Sequence, residues 1–425
     1  MKRKCSTDRA WTVLVPLVIS ASIGCDGAAP PDPPAAVVER AAGDSPAERS
    51  SDAEPEPAPS ILGEAELRDG WIALFDGETL FGWQATSDAN WHVDDGSIVV
   101  DSGEKGLLCT TSQFSDYVLQ LDFRCDPATN SGIFLRTQLD PGDVATQCYE
   151  LNIAPADNPF PTGSLVQRAK VDKDVHRDDW QTYEVTVLGD QVSVALDGDQ
   201  LLEYRDSDPL GRGRIGLQLN EGRVAFRSIK LKPLGMEPIF NGLDLTGWTS
   251  YPDQVSEFAV SDDGWLNVKN GPGQLETEEV YGDFVLQLES RVNAAGLNSG
   301  IFFRSIPGDQ MMGYESQIHN GFKNNRRSEP VDWGTGAIFR RQKARVVMAD
   351  DLTWFHKTLI ADGAHMAVWV NGYQVSDWVD TREANENPRR GKRLAPGSII
   401  IQGHDETTDL SFRNLRIDEM TPRHK

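Results

Sequence analysis

The stretch "YESQIH" at residues 314–319 carries side chains that could transfer protons. In a β-strand, side chains alternate between two faces, so Glu315, Gln317 and His319 would share one face. A carboxylate and an imidazole can serve as general acid and base, and an amide can hold a polar substrate. This strand therefore presents either a solvated surface or a polar groove.

Two further stretches could contribute to such a groove. The phrase "NSGIFFR" at residues 298–304 places Asn298 and Arg304 on one face of a strand, where Arg304 would supply a cation. Arg304 could equally form a structural salt bridge. The run "IIIQGHDE" ends in Gln402 and His404, and histidine is the usual proton-transfer residue near neutral pH.

The same side chains could instead bind a metal. Glu315, His319 and His404 offer three nitrogen and oxygen ligands, enough for a divalent metal that polarises a carbonyl group. Ligands spaced along one strand are weak evidence for such a site. No cofactor is predicted with certainty, and a divalent metal remains an open alternative.

The elements that position these residues occur twice in the chain. Seven phrases recur in the same order, and the boundary between the copies falls near residues 233–237. The matched pairs are "FDGETLFGW" with "FNGLDLTGW", "DYVLQLDFR" with "DFVLQLESR", "NSGIFLR" with "NSGIFFR", "YELNI" with "YESQI", "TGSLVQR" with "TGAIFRR", "GDQVSVALDG" with "DGAHMAVWVNG", and "RIGLQ" with "SIIIQ".

Each copy reads as a series of β-strands. In "VLQLDFR", Leu119, Leu121 and Phe123 alternate with polar residues, which is the period of a strand with one buried face. "YEVTVLGDQVSVALDG" indicates two strands joined by a tight Gly-Asp turn. The sequence therefore predicts an all-β protein made of two tandem antiparallel β-sandwiches.

The first copy lacks the imidazoles of the second. Ala154 and Asn220 stand where the second copy has histidines, and Asn152 replaces Gln317. We therefore expect the chemistry in the second copy, while the first binds, acts as a scaffold or keeps weaker activity. The first copy retains four polar positions, of which Arg136 and Glu150 are predicted to contact substrate: Asn130, Arg136, Glu150 and Gln218.

The N-terminus predicts export. A basic start and an apolar run that ends in "SIGC" resemble a lipoprotein signal peptide over residues 1–24, with Cys25 as the lipidated residue. An ordinary signal peptide is the alternative. Residues 25–62 are rich in Pro, Ala and acids and predict a disordered tether. The expected location is the cell envelope, periplasm or outer membrane, with a lipid anchor as the membrane contact.

Two domains are predicted after the tether, over residues 63–234 and 235–425. The net charge of −24 argues against nucleic-acid binding, which needs a basic surface. Cys109, Cys125 and Cys148 all lie in the first domain, and the sequence leaves open whether they form a disulfide.

Together these phrases resemble the 3-keto-disaccharide hydrolase domain family, which has a concanavalin-A-like jelly-roll fold. The second copy keeps nearly all of the family pattern, including N-S-G-[IL]-x-x-R, Y-E-x-Q-I and Q-x-H, whereas the first departs at Asn152 and at "QLNEG". The resemblance covers about 360 residues. It implies a carbohydrate partner, namely a glycoside that is already oxidised to a ketone at sugar carbon 3.

The resemblance also implies a chemistry. A 3-ketone acidifies the hydrogen on carbon 2, so a base can remove it and the anomeric substituent leaves by elimination, after which water can add. Glu315 or His404 would be the base, Arg304 and Gln317 the groups that stabilise the enolate or position substrate, and His319 an acid or a supporting partner. Asn298 and Gln402 would bind substrate.

Two other functions remain open at this point. Jelly-roll folds also serve lectins, and two tandem copies on a tether would suit multivalent binding of glycans without catalysis. A scaffold of the cell envelope, with two inactive sites, is the other alternative.

Overall fold

The computed structural model describes residue 58 and residues 60–420. The predicted signal peptide, Cys25 and most of the predicted tether lie outside the described residues. Within residues 60–420, no helix has both the length and the apolar character needed to cross a membrane.

The first half of the described chain is a β-sandwich. Its strands are β1 (Ile72–Ala73), β2 (Trp83–Ala85), β3 (His92–Asp94), β4 (Ser97–Val100), β5 (Gly106–Thr110), β6 (Tyr117–Cys125), β7 (Ser131–Thr137), β8 (Tyr149–Ile153), β9 (Gln181–Leu188), β10 (Gln191–Leu196), β11 (Asp199–Arg205), β12 (Arg214–Leu219) and β13 (Val224–Pro233).

A second sandwich follows after a short connection. Its strands are β14 (Glu237–Pro238), β15 (Trp248–Ser250), β16 (Glu257–Val260), β17 (Leu266–Lys269), β18 (Gly273–Thr277), β19 (Phe284–Val292), β20 (Ser299–Ser305), β21 (Tyr314–Ile318), β22 (Trp354–Asp362), β23 (His365–Val370), β24 (Tyr373–Val379), β25 (Ser398–Gly403) and β26 (Asp409–Glu419).

Both sandwiches have the same topology. Each pairs an eight-stranded antiparallel sheet with a five-stranded one, ordered β2-β5-β12-β7-β8 in the first copy and β15-β18-β25-β20-β21 in the second. The larger sheets run β11-β10-β9-β6-β13-β4-β3 and β16-β17-β26-β19-β22-β23-β24, with β1 and β14 added beside β13 and β26. The prediction of two tandem jelly-roll β-sandwiches is confirmed.

The strand periodicity explains the cores. On β6, Leu119, Leu121 and Phe123 are at most 1% exposed and lie between the two sheets, while the polar residues between them face outwards. The two tryptophans of the "GW" phrases, Trp83 and Trp248, are also buried, and each donates its indole N–H to a backbone carbonyl at 2.7 Å. These tryptophans are therefore core residues.

Two short helices complete the fold. α1 (Glu64–Asp69) precedes the first sandwich and ends at Gly70, whose φ of 90° is the left-handed conformation that glycine adopts without strain. Leu62, which was predicted to lie in the tether, is 7% exposed. α2 (Val144–Gln147) begins after Asp143, whose carboxylate accepts a hydrogen bond from Ala145 N at 3.0 Å.

The two sandwiches share a packed junction. Val285 and Ile360 of the second sandwich belong to the same apolar cluster as the core of the first. Trp369, also in this cluster, is 1% exposed and donates its indole N–H to Ala73 O at 2.9 Å. Arg212 of the first sandwich adds an ion pair with Asp283 of the second, at 2.6 Å.

The arginine that ends each "NSGIF" phrase holds its own sandwich together. Arg304 has a φ of 47°, at a point where the register of β20 with β25 shifts, and such a bulge turns the side chain out of the alternating pattern. Its guanidinium contacts Asp283 at 2.7 Å and the carbonyls of Gly282 and Gly363. Arg136 has a φ of 50° and binds Asp116 and Gly189 O in the equivalent way.

The three cysteines of the first domain are free thiols. Cys109, Cys125 and Cys148 are buried and none is joined in a disulfide. Burial raises the pKa of each thiol to about 12, which keeps these thiols protonated at neutral pH.

Replacing either arginine should destabilise the protein. Arg304→Met and Arg136→Met each remove an ion pair and leave backbone carbonyl groups without their guanidinium donor, so we expect each to lower the free energy of unfolding by about 2 kcal/mol. Chemical denaturation followed by tryptophan fluorescence measures this. Lys269→Met, at a side chain that is 57% exposed, is the matched control and should change little. Equal stability of Arg304→Met and the control would contradict the structural role.

Candidate active site

Polar side chains line the outer face of the five-stranded sheet in the second sandwich. Gly300 on β20, which lies between β25 and β21, is opposite Gln317 on β21. On its other side, the register of β20 with β25 places Gly300 beside Gln402. Two amides therefore flank a position that has no side chain.

Glu315 fills the space over this glycine. It lies opposite Phe302 in the register, but its side chain leans along the sheet, so that a Cβ added at Gly300 would be 2.7 Å from Glu315 Oε1 and 2.9 Å from its Cγ. A methyl group cannot fit at these distances. The glycine of the "NSG" phrase is therefore needed for the position of the carboxylate as well as for the turn.

The environment of Glu315 favours its protonated form. The pKa of Glu315 is raised to about 8, chiefly by burial and in smaller part by the nearby Asp332 carboxylate, against the opposing effects of Arg389, Lys357 and Arg340. A carboxyl group with this pKa is largely protonated at neutral pH. It can donate a proton to a leaving group, as general acids do.

A buried lysine of β22 lies beneath β21, on the inner side of the sheet. Lys357 is 2% exposed, and its Nζ donates to Ser316 O at 2.9 Å and to Gln317 O at 3.0 Å. Burial lowers the pKa of Lys357 to about 7, although Glu315 opposes that shift. Lys357 thus fixes the backbone of β21 from below, while Glu315 and Gln317 face the groove.

Asp332 organises the amides at one end of the face. Gln317 Nε2 donates to its carboxylate and to its carbonyl, both at 3.0 Å, and Asn298 Nδ2 also donates to this carboxylate. Asn298 Oδ1 and Gln402 Oε1 are buried and have no hydrogen-bond partner within the described part of the chain. Acceptors of this kind suit the hydroxyl groups of a ligand.

His404 lies at the end of β25 on the same face. Its Nδ1 is 2.9 Å from Asp405 Oδ2, a contact that favours the tautomer with the proton on Nδ1 and leaves Nε2 free to accept one. The strand spacing and rise place its Cα about 8 Å from that of Gly300. His404 and the Glu315 carboxyl group can therefore both reach a ligand that lies over this face.

His319 follows the end of β21, and one of its ring nitrogens is engaged by the backbone. It lies one residue beyond the end of β21, and its Nδ1 accepts a hydrogen bond from Gly321 N at 3.1 Å. Across residues 58 and 60–420, no three His, Cys, Asp or Glu side chains are arranged to hold a metal ion. This geometry gives no support to a metal site formed by Glu315, His319 and His404.

The prediction that Arg304 contacts substrate is wrong. Its side chain is 0% exposed, and its guanidinium lies at the end of the sandwich with Asp283 rather than over Gly300. The bulge described above is the reason. The same holds for Arg136, which is 5% exposed and was assigned to substrate binding. Among the cations, Arg389 has the largest effect on the pKa of Glu315. Arg389 is an exposed residue of the basic loop "PRRGKR", and its Nη2 donates to Met311 O at 2.8 Å.

The equivalent face of the first sandwich differs in the hydrogen bonding of its glutamate. Glu150 lies opposite Phe134 as Glu315 lies opposite Phe302, which confirms the pairing of the two copies. Here Gln218 Nε2 donates to Glu150 Oε1 at 3.2 Å, and burial raises the pKa of Glu150. The predicted binding residue Glu150 therefore lies on this face.

Sequence reasoning missed two residues of the site. Lys357 lies on the buried face of β22, between Phe355 and Leu359. A lysine at a position where the alternation predicts an apolar residue indicates a special role, and this pattern is visible in the sequence. Asp332 lies in a loop far along the chain from Asn298, and no pattern in the sequence brings the two together.

Similarity to named proteins covers parts of the chain. A 3-keto-disaccharide hydrolase of Bacteroides thetaiotaomicron is 29% identical over 82 residues, which are 16% of this chain and 28% of that protein, so well under two thirds of that relative is spanned. A candidate glycosyl hydrolase of Parabacteroides distasonis is 20% identical with a TM-score of 0.37, over 41% of this chain and 99% of its own. The carbohydrate binding module CBM66 of Bacillus subtilis is 16% identical with a TM-score of 0.29, over 36% and 95%.

The two copies also match one family of domains. Residues 70–232 and residues 235–418 each match the family described as the 3-keto-alpha-glucoside-1,2-lyase-like domain. These segments span most of the chain and confirm the resemblance drawn from the motifs. The chain therefore belongs to the family of 3-keto-alpha-glucoside-1,2-lyase-like domains, and it carries two of them.

Proposed function

We propose that the second domain cleaves 3-keto-glycosides by elimination across carbons 1 and 2 of the oxidised sugar. The observation that carries this proposal is the partly buried carboxyl group of Glu315, held over Gly300 on the same face as the His404–Asp405 pair. Membership of the family supports the substrate class, and the name of the Bacteroides relative agrees with it.

The reaction begins with His404. Its Nε2 accepts the proton from carbon 2, and the electron pair of that C–H bond forms a carbon–carbon double bond to carbon 3 while the ketone oxygen becomes an enolate. Asp405 stabilises the resulting imidazolium. The positive charge of Arg389 favours the negative charge that develops on oxygen. The free amide oxygens of Gln402 and Asn298 can accept hydrogen bonds from hydroxyl groups of the sugar.

Glu315 completes the elimination. The enolate collapses to the ketone, a double bond forms between carbons 1 and 2, and the bond from carbon 1 to the glycosidic oxygen breaks. Glu315 donates its proton to this oxygen, so that the leaving group departs as an alcohol. Addition of water across the new double bond then yields the free 3-keto sugar. No second carboxylate opposite Glu315 is required, in contrast to ordinary glycosidases.

The role of Glu315 as an acid depends on the leaving group. For a 3-keto-disaccharide, whose leaving group is a poor one, we expect Glu315→Gln to lower kcat/KM by about 100- to 10,000-fold. For the 4-nitrophenyl 3-keto-glucoside, whose leaving group needs no proton, the loss should be much smaller. Arg340→Gln is the matched control, since Arg340 is exposed and acts on Glu315 only through its charge. Equal losses on both substrates would assign Glu315 as the base instead.

The pH profile tests the environment of Glu315. An acid with a pKa of about 8 predicts that kcat/KM falls as the pH rises through that value. Lys357→Tyr copies the first domain, where Tyr183 OH donates to Asn152 O at 3.0 Å, so a hydrogen bond to β21 is kept while the charge is lost. Because the lysine charge lowers the pKa of Glu315, the fall in this variant should move to higher pH. An unchanged profile would show that Lys357 does not act on Glu315.

Stability provides a test of this pKa without substrate. Glu315 has a raised pKa in the folded protein, so its neutral form contributes stability that is present below about pH 4.5 and is lost as the pH rises through about 8. The amide introduced by Glu315→Gln cannot ionise. The Tm of this variant should therefore rise relative to that of the wild type between pH 5 and pH 9, as measured by calorimetry. A constant difference across this range would contradict the raised pKa.

A further inference from the structure

The first sandwich has an open cleft on the face that corresponds to the candidate active site. Its volume is about 490 Å³, and it lies over the sheet β2-β5-β12-β7-β8. This volume falls in the usual range for ligand sites and has room for an oligosaccharide of a few rings.

The polar wall of the cleft consists of buried side chains that are held in place. Glu150 is 8% exposed and Asn152 is 3% exposed, and both line the cleft. Gln218 donates to Glu150, while Gln218 Oε1 is buried without a hydrogen-bond partner in the described chain. A buried acceptor that is aimed into a cleft and left unpaired is normally satisfied by a ligand or by water.

The cleft lacks the proton-transfer groups of the second domain. Ala154 and Asn220 replace the histidines, and Asn220 Oδ1 accepts a hydrogen bond from Lys105 Nζ at 2.6 Å. Glu150 is held by Gln218, whereas no residue of the described chain donates a hydrogen bond to the Glu315 side chain. The arrangement can bind a ligand, but it offers no base beside an acid.

The lining indicates the chemical class of the ligand. Among the described residues that line the cleft, Lys105 is the one cation, and Asp140 and Glu150 are the carboxylates. Together with the net charge of −24, this disfavours anionic ligands. Apart from the hydroxyl group of Thr86, the remaining polar side chains are amides, which both donate to and accept from hydroxyl groups. Leu107, Phe134 and Phe160 form an apolar wall of the kind on which sugar rings pack.

We propose that this first-domain cleft binds a linear, uncharged oligosaccharide without cleaving it. The inference stands independently of the chemistry proposed for the second domain. A polysaccharide chain held at the first domain would raise the effective concentration of its sugars around the second.

Isothermal titration calorimetry on the full chain tests the proposal. The protein carries Glu315→Gln, and the probes are cellotetraose, laminaritetraose and maltotetraose, with tetragalacturonic acid as the anionic comparison. We expect at least one neutral tetrasaccharide to bind, and Asn152→Ala or Gln218→Ala to weaken that binding by about tenfold or more. The matched second-domain substitutions, Gln317→Ala and Gln402→Ala, should leave the affinity unchanged.

Three results would overturn the proposal: no binding of any neutral tetrasaccharide at millimolar concentration, a loss of binding through Gln317→Ala or Gln402→Ala alone, or equal binding of tetragalacturonic acid. Asn220→Ala is a second first-domain variant at a partly exposed position, in case the buried substitutions disturb folding. Turnover of a 3-keto-disaccharide is measured separately, with cleft variants that retain the native Glu315. A failure of the catalytic proposal therefore does not affect the binding result.

Discussion

The absence of a side chain at Gly300 is the constraint on which the candidate site depends. Glu315 leans across the neighbouring strand β20 because that position is empty, and any Cβ there would collide with its carboxyl group. By lying against the sheet, the carboxyl group loses contact with water, and the loss of solvation raises its pKa. The empty position at one glycine therefore contributes to the burial that favours the protonated form of the acid.

The repeated "NSGIF-x-R" phrase combines three separate requirements. The serine hydroxyl donates to the neighbouring strand, from Ser299 Oγ to Gln402 O at 2.8 Å and from Ser131 Oγ to Gln218 O at 2.7 Å. The glycine makes room for the glutamate, and the arginine holds the end of the sandwich. The first and last of these stabilise the fold, so their presence in both domains carries no information about activity.

The sequence predicted the strands and most of the faces because alternation is a local property. It correctly placed Glu315 and Gln317 on one outward face, and it paired Asn220 with His404. It failed at Arg304, because a bulge with positive φ breaks the alternation and nothing in "FFR" announces it. It also could not place Asp332 or Arg389, because their proximity to β21 depends on loops whose course is set by the packed domain.

The differences between the two domains are concentrated on one strand and its neighbours. Lys357 beneath β21 is replaced by Tyr183 beneath β8, so both copies support this strand by hydrogen bonds to its carbonyls, but of the two only Lys357 can carry a positive charge there. Burial of a charge at that point costs free energy unless the charge is paired and hydrogen-bonded. Glu315 is the ionisable group it faces across the strand. The cost is therefore explained if the second domain uses Lys357 to adjust its acid, and the neutral tyrosine suits a first domain that binds without proton transfer.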